Sequence, residues 1–234
     1  MQKLACILVA AVVAGASAAQ AADLPVKARP MAVVDPPFSW TGFYVGGFVG
    51  GIWGKKDWVE VVGPVPGGVI HPDFDGIIGG VQGGFNYQFG RWVAGIEGEW
   101  GATNADGTGP CISSAAITCG VDVKWVAMFT GRLGYAVWDR TLIYVKGGGV
   151  WVREEYPTAP GTPFAFTAQH RRDGWTIGGG VEYAFLPNWS VKAEYNYLDL
   201  GTDRLDFNGA IEDITQEAHI AKVGINYRFG WAGR

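Results

Sequence analysis

His219-Ile220-Ala221-Lys222-Val223-Gly224-Ile225-Asn226-Tyr227-Arg228-Phe229 changes character at every step. His219, Ala221, Val223, Ile225, Tyr227 and Phe229 fall on one side, and Ile220, Lys222, Gly224, Asn226 and Arg228 on the other. Successive side chains of an extended chain point to opposite faces. A period of two kept over the whole stretch therefore predicts a strand with one apolar and one polar face.

Working back along the chain, the same split returns. Over 189–199, Trp189, Val191, Ala193, Tyr195 and Tyr197 oppose Ser190, Lys192, Glu194 and Asn196. Over 175–186, Trp175, Ile177, Val181, Tyr183 and Phe185 oppose Thr176, Gly178, Gly180 and Glu182. Over 122–137, Val123, Trp125, Ala127, Phe129, Leu133 and Tyr135 oppose Lys124, Thr130, Arg132 and Gly134. Over 92–103, Trp92, Ala94, Ile96 and Trp100 oppose Glu97 and Glu99. Over 77–89, Ile77, Val81, Phe85, Tyr87 and Phe89 oppose Gln82, Gly84, Asn86 and Gln88. Glycine-rich stretches at 42–54 and 141–153 complete a set of eight. Strands of soluble proteins usually run to about 5–6 residues, whereas a tilted membrane strand needs about 9–11. Tight connections at 90–91, 138–140 and 187–188 alternate with long polar or proline-rich ones at 55–75, 104–121, 154–173 and 201–215. Short turns at one end and long loops at the other are the pattern of an all-β, eight-stranded antiparallel up-and-down transmembrane β-barrel.

Composition agrees. Of 234 residues, 37 are glycine and only 17% are charged, while aromatics reach 14%. That is poor in charge and rich in glycine for a soluble domain, and too aromatic for a disordered linker. The net charge of −4 and the lack of a basic stripe give nucleic-acid binding no support. The chain beyond the first residues has no apolar run long enough for a membrane helix, which leaves strands as the means of crossing.

Residues 1–21 read as a secretory signal peptide: Lys3 is followed by an apolar run and an Ala19-Gln20-Ala21 cleavage site. Cys6 precedes the end of that run, so it is not placed as a lipoprotein cysteine. Residues 22–39, with Pro25, Pro30, Pro36 and Pro37, form an extended tail expected in the periplasm; the barrel covers 40–229 and a short tail 230–234. Cys111 and Cys119 remain after export into an oxidising compartment, where a disulfide persists. Such a short closed loop is worth about 2–3 kcal/mol by the chain-entropy argument. A metal pair is the competing reading, but no histidine or third cysteine lies nearby.

The apolar face is expected to point outward. Its rings, among them Tyr87, Phe89, Trp92, Tyr135, Trp175, Phe185, Trp189, Tyr227 and Phe229, gather at strand ends as interfacial girdles do. The narrow interior of an eight-stranded barrel has no room for them as well. Glu97, Glu99, Glu182 and Glu194 then face Lys124, Arg132, Lys146, Lys192, Lys222 and Arg228 inside, as a paired network. Closure removes the edges that lipid cannot satisfy. A soluble sandwich or lipocalin-like barrel accounts for alternation but not for strand length, ring placement and signal peptide together.

Lys222, Gly224, Tyr227 and Phe229 resemble the terminal signal read by the outer-membrane barrel-insertion machinery, although residues 230–234 follow where that pattern usually stops. Trp40-Thr41-Gly42-Phe43-Tyr44-Val45-Gly46-Gly47, with the preceding Ala22-Asp23-Leu24-Pro25, resembles the opening of alphaproteobacterial surface-antigen barrels of the porin family, which are similar to the OmpA membrane domain and to OmpX. The resemblance covers the whole exported chain. It implies an outer-membrane structural or surface protein in contact with lipid, with loops available to extracellular or host ligands and no defined catalytic residues.

No cofactor motif is read: the clusters 147–149 and 178–180 sit mid-strand, where close packing explains glycine better than phosphate binding. His71, His170 and His219 are dispersed. A barrel enzyme would need a Ser/His/Asp or Asp/His set at the outer rim, for which the loop residues His71, His170, Asp73 and Asp75 are the candidates. A narrow solute channel is the other alternative to a structural barrel, and the inward charges argue against an open lumen.

Overall fold

The computed structural model describes residues 38–63, 65–111, 114–158, 166–207 and 210–230. The expected signal peptide, nearly all of the 22–39 tail and residues 231–234 lie outside the described residues. The strands are β1 (Gly42–Val62), β2 (Val69–Ile70), β3 (Asp73–Phe89), β4 (Trp92–Thr103), β5 (Asp106–Cys111), β6 (Ser114–Trp138), β7 (Thr141–Thr158), β8 (Phe166–Tyr183), β9 (Trp189–Phe207) and β10 (Ala210–Gly230). All pairings are antiparallel. β1 pairs with β10 on one side and β3 on the other, which closes a ring of β1, β3, β4, β6, β7, β8, β9 and β10. The seam is a continuous ladder: Phe43 lies opposite Phe229 and opposite Phe85. β2 and β5 are short additions at the end carrying the long connections, called here the loop end; the opposite end is the turn end.

The strands run well past their expected limits. β1 ends at Val62 rather than 54, β7 at Thr158 rather than 153, and β10 begins at Ala210 rather than 219. Much of what reads as loop in 55–75, 104–121, 154–173 and 201–215 is therefore strand. The cause is visible in burial: Lys56, Trp58 and Glu60 on β1 continue the inward row of Ile52, as do Gln216, Ile214 and Glu212 on β10. Alternation persists there, but with charged residues on both faces it loses its apolar signature.

Near the loop end the ring opens between two neighbours. The β8–β9 ladder runs from Tyr183 opposite Val191 to Trp175 opposite Asp199. Above it, among the described residues, β8 pairs only with β7 and β9 only with β10. Gly201, at φ +62°, sits at this point in a bulge of β9, where the β9–β10 register shifts between Thr215 and Glu217.

The interior is filled in layers. Trp40, Val93, Leu142, Tyr144 and Ala184 pack at the turn end. Ionic residues follow. Beyond them Phe48, Ile52, Ile78, Val126, Met128, Val150, Leu198 and Ile220 belong to an apolar cluster that continues to Trp58, Phe74, Val121 and Ile214 toward the loop end. Glycines make room for the large rings: Tyr44 lies over Gly84 and Tyr144 over Gly180, each directly across a ladder. A Cβ on Gly84 would stand 2.6 Å from the Tyr44 hydroxyl.

Candidate functional site

The inner wall carries the chemistry. Glu97, Glu99, Glu182, Glu194, Arg132, Lys146, Lys192, Lys222 and Arg228 are all buried. Lys146 Nζ donates to Glu97 at 2.9 Å, Glu99 at 3.0 Å and Glu194 at 2.8 Å. Lys192 Nζ donates to Glu97 at 2.9 Å and Glu194 at 3.1 Å, and Lys222 Nζ to Glu99 at 2.7 Å. Arg132 reaches Glu182 at 2.8 Å, and the Tyr44 and Tyr144 hydroxyls donate to Glu97 and Glu194. Four acids thus meet Arg132 and three lysines in one enclosed layer, the condition under which buried charge is tolerated. Glu97, Glu99 and Glu194 are close enough to hold a metal ion. Three ammonium groups already occupy the directions a cation would take. Arg228 stands apart at the turn end, over the rings of Phe38 and Trp40 at 4.3 and 4.8 Å.

Lys124 corrects the expectation. It is exposed, not inside. The β6–β7 register jumps between Val123 and Trp125, so Lys124 is the extra residue of a β-bulge and Val123 takes the inward position. Its ammonium lies 3.1 Å from Asp122 and 3.4 Å from Glu155. Slight burial lowers its pKa, but those carboxylates outweigh burial and hold it above the ordinary lysine value.

A second polar cluster near the loop end is absent from the sequence reading. Lys56 Nζ pairs with Glu154 at 2.6 Å, and Gln216 donates to the same carboxylate at 2.7 Å. Arg172 bridges the gap between β8 and β9: it donates to the carbonyls of Gly201 at 3.1 Å and Ile214 at 2.7 Å, and pairs with Asp203 at 3.3 Å. Glu60 and Glu212 face each other beyond it. Burial pushes the Glu212 carboxyl up to about 7, with Glu60 adding to the effect. Only continued alternation through segments assigned to loops could have revealed these residues.

The disulfide residues are joined: Cys111 and Cys119 bond between β5 and β6 at the loop end. The rim histidines do not converge. His71 bonds Asp57 at 2.6 Å and His170 bonds Asp203 at 3.1 Å, while Asp73 and Asp75 are exposed on the outer face of β3. The residues expected to carry an insertion signal lie on β10, with Lys222 and Gly224 inward and Tyr227 and Phe229 outward.

Outside, all nine rings expected on the apolar face are exposed. Phe43, Trp92, Tyr135, Trp189, Tyr227 and Phe229 form a belt at the turn end, with Trp92 and Tyr135 edge to face at 5.2 Å. A second belt holds Trp53 stacked on His219 at 5.8 Å, and Trp175 against Tyr197 at 5.7 Å. Trp53 and Phe43 are ten residues apart on β1. At the usual rise and tilt this is about 25 Å, the height of the apolar band of an outer-membrane barrel.

A closed ring of long antiparallel strands, oily and ring-banded outside and ionic within, defines a transmembrane β-barrel. The chain belongs to the family described as outer membrane protein beta-barrel domain, which matches residues 7–229. It is 32% identical over 235 residues to the 31 kDa outer-membrane immunogenic protein of Brucella melitensis biotype 1, covering 92% of this chain and 95% of that one. It is 31% identical over 203 residues to the 22 kDa outer membrane protein of Rhizobium leguminosarum bv. viciae, covering 85% and 82%. Among solved structures, Neisserial surface protein A (NspA) superposes with a TM-score of 0.45 at 12% identity, covering 81% and 98%. The protein is an outer-membrane surface barrel.

Proposed function

We propose that this barrel is a closed, non-conducting element of the outer membrane that stabilises the envelope and presents its loop end to the exterior. One observation carries this reading: the lumen is blocked twice, by a fully paired ionic layer and by an apolar layer around Ile52, Met128, Val150 and Ile220. An apolar constriction resists wetting, and ions do not cross it. In this reading the turn end and both termini are periplasmic, the chain is cut after Ala21, and the insertion machinery reads Lys222 to Phe229. Extracellular or host ligands then meet the loop end, and the immunogenic relatives in Brucella support surface display. A non-enzymatic role is supported by the relatives' names and by the separate partners of His71 and His170.

Planar-bilayer recording of the refolded mature protein tests the proposal. No steady current is expected. A steady ohmic current that changes with Arg132→Ala but not with the exposed Lys124→Ala would establish a channel instead.

A further inference from the structure

We propose that Glu60 and Glu212 together bind a hard divalent cation, calcium or magnesium, inside the loop end of the barrel. The two residues are directly opposed across the β1–β10 ladder and both point inward, at 1% and 9% exposure. Direct opposition on one face brings Cβ atoms to about 4.5–5.5 Å, and like charges there repel. The nearby cations are engaged elsewhere: Lys56 with Glu154, and Arg172 with Asp203 and two carbonyls. Oε1 of Glu60 accepts the N–H of Val65, but Oε2 of Glu60 and Oε2 of Glu212 are buried without a hydrogen-bond partner.

This differs from the acids lower in the barrel, where Glu97, Glu154, Glu182 and Glu194 each meet a cation. A buried carboxylate oxygen with nothing to accept from is costly, and two facing ones are more so. A cation between them removes both costs. The donor set is all oxygen, which selects calcium or magnesium over softer metals, and these ions readily complete their coordination with water. The turn after β1 prepares the seat. A Cβ on Gly63 would fall 2.6 Å from Glu60 Oε1, so glycine there lets the carboxylate lie against the turn while Val65 fixes its direction.

Terbium serves as a luminescent stand-in for calcium, excited through tryptophan. Trp58 lies two positions from Glu60 on the same inward row. The refolded mature barrel in zwitterionic micelles should give saturable terbium emission that calcium displaces. E60Q/E212Q should lose it at least tenfold, whereas D73N/D75N, on the outer face of β3, should keep it. Heat-dependent gel mobility reports folding of each variant; if the double variant does not fold, E212Q alone gives the same reading. Equal emission from folded E60Q/E212Q or E212Q, or no displaceable emission from the folded native chain, would overturn the proposal.

Discussion

Glu97→Gln is the sharpest probe of the interior. Glu97 is fully buried, and its two oxygens lie 2.9 Å from Lys146 Nζ and 2.9 Å from Lys192 Nζ. Tyr44 donates to it at 2.8 Å, and Arg132 stands at 3.6 Å. The substitution keeps the shape but leaves Arg132 and three lysines facing three acids. Removing one partner of a buried pair typically costs about 3–5 kcal/mol. The glutamine oxygen still accepts one hydrogen bond, which places the expected loss near about 3 kcal/mol. Glu97→Gln with Lys192→Met restores the charge balance, so the pair should cost about 2 kcal/mol less than the sum of the single changes. Reversible urea unfolding in phosphatidylcholine vesicles, followed by tryptophan fluorescence, measures both. A single-variant loss below about 0.5 kcal/mol with additive effects would show that water screens these charges and that the lumen is open.

Other consequences are equally specific. Gly148→Ala would put a Cβ 2.1 Å from the Phe129 carbonyl, while Gly131 faces open space, so the first should sharply lower refolding yield and Gly131→Ala should not. Arg172→Met removes the bridge between β8 and β9 and should speed proteolysis at the loop end while leaving the heat-dependent gel shift intact. For pH the sign follows from Glu212: burial first, then Glu60, raises its folded pKa from 4.5 to about 7. The folded state therefore binds a proton that the unfolded chain gives up, and the resulting stabilisation is present below the ordinary carboxylate range and lost as pH rises through 7. In chelator-containing buffer, amide protection at the loop end of β1 and β10 should rise as pH falls from about 8 to 5, and Glu212→Gln should flatten that response.

The barrel was legible because lipid and a filled lumen demand opposite side chains at alternate positions, and 219–229 or 189–199 show this without interruption. Nine of the ten charges expected inside are buried. Lys124 was misplaced because a bulge inserts one residue, and a single inserted residue reverses every face assignment beyond it. The loop-end cluster was illegible for another reason. Outside the bilayer both faces of a strand tolerate charge, so Lys56, Glu154 and Arg172 carry no contrast with their neighbours. The large inner rings Tyr44 and Tyr144 were hidden because their space is provided by Gly84 and Gly180 on partner strands distant in sequence.

Orientation of the two faces is tested most directly by spin labels at single introduced cysteines, since Cys111 and Cys119 are tied to each other. Labels at positions 191 and 223 of the vesicle-embedded barrel should relax strongly with lipid-soluble oxygen and scarcely with a water-soluble nickel chelate. Labels at 192 and 194 should respond weakly to both. Strong oxygen relaxation at 192 and 194, with protection at 191 and 223, would contradict the account.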